Sequence, residues 1–181
     1  MKSIGFKEWA LVCQAFGRGK QSIILRKGGI AEGRDGFSFQ HDEFFLFPTF
    51  FHEQVTKVRT VERALPASNG TVTVRLYAKV ERAYRIDSLD TAELLAPLHV
   101  ISAAVVHERF KHGVKGLNVA LVRIFELSQP WVLSDEKRFG GCRSWIELPE
   151  PPETEIRPVL SEEAQASRRE QFELIMRGES A

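Results

Sequence analysis

The chain has 181 residues, 43% of them hydrophobic and 27% charged, with a net charge of +1. That is enough for one domain with a buried core, and too neutral for a surface built wholly to hold nucleic acid or anionic lipid. The amino terminus shows no signal-peptide run and no stretch is long enough to span a membrane, so a soluble, cytoplasmic protein is expected.

The elements read as α+β: a single domain with a mixed or barrel-like β-sheet flanked by N-terminal, middle and C-terminal helices. Phe6, Trp9, Cys13 and Phe16 follow at spacings of three, four and three, which predicts an opening helix with Ser3 as cap and Gly17 as left-handed stop. Ile23 to Leu25 is a short buried strand ending at Arg26 and Lys27, and Gly28-Gly29 bends the chain. From Phe37 to Phe47 the chain reads as extended, stopping at Pro48, with a short helix near Val55. Ser68-Asn69-Gly70 is a turn before a strand in which Val72, Val74, Leu76, Ala78 and Val80 alternate with polar residues. Asp90 and Glu93 suggest a capping box for a helix that Pro97 ends or kinks. A helix over Ala103 to His112 stops at Gly113. Leu117 to Leu127 is apolar on both faces, hence central in its sheet, and Ser144 to Leu148 adds a short strand.

The chain divides into a domain over 1–148, a proline-rich linker or arm over 149–159, and a charged helix over 160–181. Ser161-Glu162-Glu163 opens that helix, and Phe172, Ile175 and Met176 form its apolar stripe. Thirteen phenylalanines, many between Phe37 and Phe51, imply a thick aromatic core or an aromatic-lined pocket. Cys13 and Cys142 fit no metal-ligand spacing and read as reduced core thiols. Trp9 and Trp145 read as core residues.

Some polar residues break the strand patterns. Continuing the Val72 row by twos brings Arg82 onto an apolar face, provided no bulge intervenes. Arg123 follows Leu117, Val119 and Leu121, and Arg26 follows Ile24. A buried guanidinium needs a partner. These arginines therefore either pair internally, with Glu32, Glu43 or Asp87, or line a basic cleft for phosphate or another anion. On the Phe37 strand, His41 and Glu43 share a face with Phe37, Phe39, Phe45 and Phe47. With His52 they could hold a divalent metal or do acid–base work, or His41 could simply anchor a loop. The glycines from Gly28 to Gly33 lack the spacing of a phosphate-binding loop, and no Nudix box is present.

Several segments together resemble an uncharacterised bacterial family, domain of unknown function 1802, over about residues 4–148. They are Phe6-Lys7-Glu8-Trp9-Ala10, Leu25-Arg26-Lys27-Gly28-Gly29-Ile30 with Glu32, Glu43 to Thr49 with His52, Leu121-Val122-Arg123, and Gly141-Cys142-Arg143-Ser144-Trp145. The resemblance implies an association with restriction-type nuclease domains, and so a role around DNA. The Gly19-Lys20 turn running through a strand to Arg26 is similar to PUA-like and ASCH domains, which implies binding of RNA or modified nucleotides. The glutamate that those domains carry just before the arginine is absent.

Three functions remain open. The first is a binding module for nucleic acid or a nucleotide-like anion, using Arg26, Lys27, Glu32, Arg82 and Arg123, with phenylalanines near Phe47 to Phe51 stacking on bases. The second is a metal-assisted hydrolase or phosphodiesterase using His41, Glu43 and His52. The third is an interaction protein that meets a partner, or a second copy of itself, through the C-terminal helix.

Overall fold

The structure, a computed structural model, describes residues 1–27, 37–59, 70–113 and 115–179. The Gly28-Gly29 bend, Glu32, Gly33 and the Ser68-Asn69 half of the expected turn lie outside the described residues. Among the described residues seven strands form one mixed sheet: β1 (Ile4–Trp9), β2 (Ile23–Arg26), β3 (Glu43–Thr49), β4 (Thr71–Ile86), β5 (Leu117–Ser134), β6 (Trp145–Glu147) and β7 (Ile156–Pro158). Their order is β2-β5-β4-β3-β1-β6, with β7 also on β5, and only β1 and β3 run parallel. The described residues also include five α-helices: α1 (Ala10–Gly17), α2 (Gln54–Lys57), α3 (Leu89–Leu94), α4 (Ala103–Lys111) and α5 (Glu162–Glu179). Among the described residues no helix is long and apolar enough to cross a membrane.

The opening helix is shorter than its spacing suggests. Phe6 and Trp9 belong to β1, and only Cys13 and Phe16 are helical. The three-four-three spacing straddles a strand–helix junction, because β1 is held by partners distant in sequence, β3 and β6. The left-handed residue that ends α1 is Gly19, at φ +66°, rather than Gly17. Gly19 N–H donates to Phe16 O and Lys20 N–H to Ala15 O, the paired bonds of a Schellman stop. A Cβ at Gly19 would also stand 2.6 Å from Leu160.

Strand β3 begins at Glu43, so Phe37 to Asp42 is not strand and its alternation does not carry over. Phe37, Phe39, Phe44 and Leu46 pack with one core, while Phe45 and Phe47 pack with the other. The strand also runs through Pro48. Proline is tolerated there because β4 pairs only as far as Phe45, leaving that edge of β3 open. Strand β4 carries two register shifts, at Val74/Leu76 and Val80/Arg82. The first sends Val72 and Val74 into one core and Leu76 and Ala78 into the other. The second is the bulge that frees Arg82 from the expected apolar row.

Helix α3 is capped by Ser88, whose side chain accepts from Thr91 N–H, two residues earlier than the expected Asp90–Glu93 box. Gly113 follows α4 at φ +61°. Strand β5 has buried residues on both faces from Val119 to Val122 and lies between β2 and β4, as its composition requires. Helix α5 lies against the first core, with Phe172 fully buried and Met176 nearly so. Its start is capped by Ser161 Oγ, 3.2 Å from Ala164 N, with Glu162 and Glu163 in the first turn.

The sheet does not close, yet its two ends approach one another. Arg26, at the end of edge strand β2, donates through its guanidinium to Lys7 O of β1, and through Nε to Ser144 Oγ at 3.2 Å. Arg109 of α4 does the same work one layer out: it donates to Leu25 O of β2 at 3.0 Å and lies 4.5 Å over the Trp9 ring of β1. The seam between β2 and β1 is therefore bridged by side chains in place of a strand ladder.

Candidate functional site

The seam opens into a cleft of about 390 Å3 lined by Lys7, Trp9, Arg26, Lys27, Thr49, Arg109 and the loop Gly141 to Ser144. Each element delivers its part for a reason internal to the fold. Lys7 N–H donates to Ser144 O at 2.8 Å, which extends the β1–β6 pairing and draws the Gly141–Ser144 loop alongside β1. Lys7 Nζ then reaches back to Gly141 O at 2.7 Å. Thr49 is set opposite Trp9 by the parallel register of β1 and β3, and its hydroxyl donates to Glu8 O at 3.1 Å. Lys27 Nζ donates to Gly116 O at 2.9 Å and Phe110 O at 3.3 Å.

Five of the lining side chains are cationic: Lys7, Arg26, Lys27, Arg109 and Arg143. No carboxylate lines the cleft among the described residues. Glu8 supplies a buried counter-charge. It is 2% exposed, accepts from Trp9 N–H at 2.8 Å, and acts on the Arg109 guanidinium from behind the cleft. Burial pulls Arg109 down to about 10, against the opposing pull of Glu8 and with a further push from Arg26, so it stays charged at neutral pH. Lys7 is held below the ordinary lysine range, first by burial and then by the Arg143 charge. Lys27 is lowered by burial first, then by Arg85. Cations that depress one another across a concave surface are a place where an anion gains from several charges at once.

The other sequence candidates separate. Arg123 forms a two-point ion pair with Glu162 of α5 and lies 5.6 Å from the Phe125 ring centroid. Arg82 is exposed and pairs with Glu173 of α5 at 3.4 Å. Their partners are thus α5 glutamates, not Glu43 or Asp87, which pair with Lys79 and Arg85. His41 packs edge-on against Trp145 at 4.9 Å, Glu43 faces Lys79 at 3.7 Å, and His52 is an exposed residue of a neighbouring cavity. Among the described residues no three His, Cys, Asp or Glu side chains are grouped to hold a metal. Cys13 is buried as expected, whereas Cys142 is exposed at the cleft rim, because it sits in the loop before β6 rather than in the core.

Lys7, Arg109 and Arg143 escaped the sequence reading. Lys7 breaks no apolar pattern, Arg109 is unremarkable on a helix, and Arg143 sits in a loop. One signal was nevertheless present: every lining residue except Arg109 comes from the segments that carried the family resemblance. Trp9 and Trp145 are half-buried against the core, and Trp9 also forms a wall of the cleft.

The chain belongs to the family described as domain of unknown function 1802, which matches residues 5–171 and so extends into α5. No curated protein matches it. In fold it is similar to the crystal structure of ASCH from Zymomonas mobilis, with a TM-score of 0.51 at 13% identity, over 94% of this chain and 95% of that one. The serine-to-alanine variant of that protein gives 0.51 at 13% identity over 82% and 89% of the two chains. The tyrosine-to-phenylalanine variant gives 0.50 at 16% identity over 83% and 92%. At these identities the likeness is one of architecture: an α+β, PUA-like fold of the ASCH kind.

Proposed function

We propose that this chain is a binding module for a phosphate-bearing ligand, a nucleotide or a nucleic acid, held in the seam cleft. The observation that carries the reading is the convergence of Lys7, Arg26, Lys27, Arg109 and Arg143 on one cavity with the Trp9 ring in its wall. Guanidinium forks suit phosphate oxygens, and the Trp9 indole holds the Arg109 guanidinium in place at 4.5 Å. The similarity to the ASCH fold supports a nucleotide-type ligand, and the family's implied neighbourhood with DNA-processing domains makes single-stranded DNA and RNA the first ligands to try.

Arg143 is the residue on which to test it, because it is exposed, whereas Arg26 and Arg109 also hold the seam. Nucleotide and oligonucleotide affinity is measured by titration over a salt series. Affinity falls steeply with salt, and Arg143→Ala lowers it about tenfold while reducing the salt slope by about one phosphate contact. Wild-type affinity in Arg143→Ala and Lys7→Met, both folded, rejects the cleft.

A further inference from the structure

A second cavity of about 630 Å3 adjoins the cleft. The two share Lys7 and Thr49 in their linings, and consecutive glycines, Gly141 and Gly140, border one and the other. We propose that together they form one groove whose ligand is a single nucleic-acid strand of at least two nucleotides, with phosphate in the first cavity and a base in the second. The inference rests on the reading that the basic cleft takes phosphate, and it adds the length and strandedness of the ligand.

The two halves differ in chemistry. The second is walled by Phe47, Phe50, Phe51 and Phe139, and its charges are mixed: Asp135 and Glu136 stand against Lys137. Glu136 is already paired with Arg138 at 2.9 Å. Asp135 keeps its carboxylate near enough to act on Lys7. With Lys7 counted, the lining charges balance, so this cavity adds no net attraction for a second phosphate and offers ring faces instead. Phe50 and Phe51 are only half-buried, although the chain has a core that takes most other phenylalanines. The aromatic surface is continuous with the cleft, since Phe51 meets the Trp9 ring edge-on at 5.3 Å and Arg109 covers Trp9 on the cleft side.

Size points the same way. At about 390 Å3 the basic cleft lies at the lower end of small-ligand sites, which run from roughly 300 to 1,000 Å3, and the second cavity more than doubles the space. A strand whose bases are free can lay one base on these rings, whereas duplex bases are already stacked on each other. Stacking on aromatic side chains is tolerant of sequence, so strandedness and length are what such a groove selects.

The test is an affinity ladder on the full chain: uridine monophosphate, the uridine dinucleotide and a short oligouridylate, the thymidine counterparts, and a short duplex. Affinity rises on the order of tenfold from mononucleotide to dinucleotide, and single strands bind more tightly than the duplex. Phe50→Ala and Phe51→Ala move the dinucleotide-to-mononucleotide ratio toward one. A gain in either series supports the groove, and the series with the larger gain names the strand. Equal binding of mononucleotide and dinucleotide by the wild-type chain overturns the groove and leaves the phosphate cleft standing, as does preference for the duplex. No binding by any of these ligands overturns both readings.

Discussion

Two pairs of arginines, three of the four at strand positions where hydrophobes were expected, are held in opposite ways. Arg123 and Arg82 meet carboxylates of α5, Glu162 and Glu173, and Arg169 of α5 returns the arrangement by binding Glu81 with two bonds of 3.0 and 3.1 Å. Arg26 and Arg109 meet no carboxylate directly among the described residues. They are held by the backbone carbonyls of Lys7 and Leu25 and by the faces of Phe6 and Trp9. Carbonyls and ring faces orient a guanidinium without cancelling its charge, so the seam keeps its positive potential while the α5 side is neutralised pair by pair. An out-of-pattern arginine is thus no mark of a site in itself; what holds it decides.

The largest effect that tests this contrast lies on the α5 side. Phe172 is fully buried beneath α5 and meets Tyr84 at 5.9 Å. Phe172→Ala is expected to lower stability by about 3–5 kcal/mol in chemical denaturation. The folded fraction should keep its affinity for nucleotide, because no α5 residue lines the cleft. A loss of affinity in that fraction would join the two regions and end the comparison.

Next comes an acid effect behind the seam. His99 is 4% exposed, and burial, followed by the Arg59 and Arg109 charges, lowers its pKa to about 4. The folded state therefore keeps the ring neutral while the unfolded chain protonates it below about pH 6.5. Stability is lost as pH falls from about 6.5 and the loss levels off near 4, on the order of 3 kcal/mol in all. His99→Asn should remove that part of the pH slope and leave the carboxylate part; an unchanged slope would show that the ring is not held neutral.

The third effect separates the two arginine sets by what they bind. Arg143→Ala weakens nucleotide binding by about tenfold with little change in stability. Arg123→Ala has the reverse signature: it breaks the pair with Glu162, shifts the melting temperature slightly and more so at low salt, and leaves affinity unchanged. Weakened binding in Arg123→Ala would return that residue to the site.

Much of the fold was legible where the pattern is local. The alternation along β4, the two-faced apolar run of β5, Gly113 after α4 and the stripe of α5 can all be read from neighbours in sequence. What was hidden depends on partners far away. Strand β1 looks helical until β3 and β6 are placed beside it. The bulges of β4, which reassign Val72 and free Arg82, follow from its register with β5 and leave no local trace. The cleft was legible only in part for the same reason. Arg26 and Lys27 stood out at the end of a strand, but Lys7, Arg109 and Arg143 join them only because edge strand β2 meets β1, four places away in the sheet order, through side-chain bonds.

The smallest effect is also the most specific to the seam, because it makes affinity and stability move in opposite directions. Lys7 has its pKa lowered, chiefly by burial and then by Arg143. Between that lowered value and the ordinary 10.5 the unfolded chain holds a proton that the folded chain has released, so this group's contribution to stability grows as pH rises through the window. A bound phosphate reverses the balance. It adds a negative charge beside Lys7, favours the ammonium form, and binds most tightly where that form persists. Affinity should therefore decline as pH rises toward 10.5, and binding within the window should take up protons. Calorimetric titration in buffers of different ionisation enthalpy measures that uptake, and Lys7→Met should abolish it. Proton uptake that survives in Lys7→Met would assign the titrating group to Lys27 or Arg109, both of which burial also lowers. No uptake in the wild-type chain would mean that the anion never meets Lys7, and the contrast between a charged seam and a neutralised α5 face would lose its functional half.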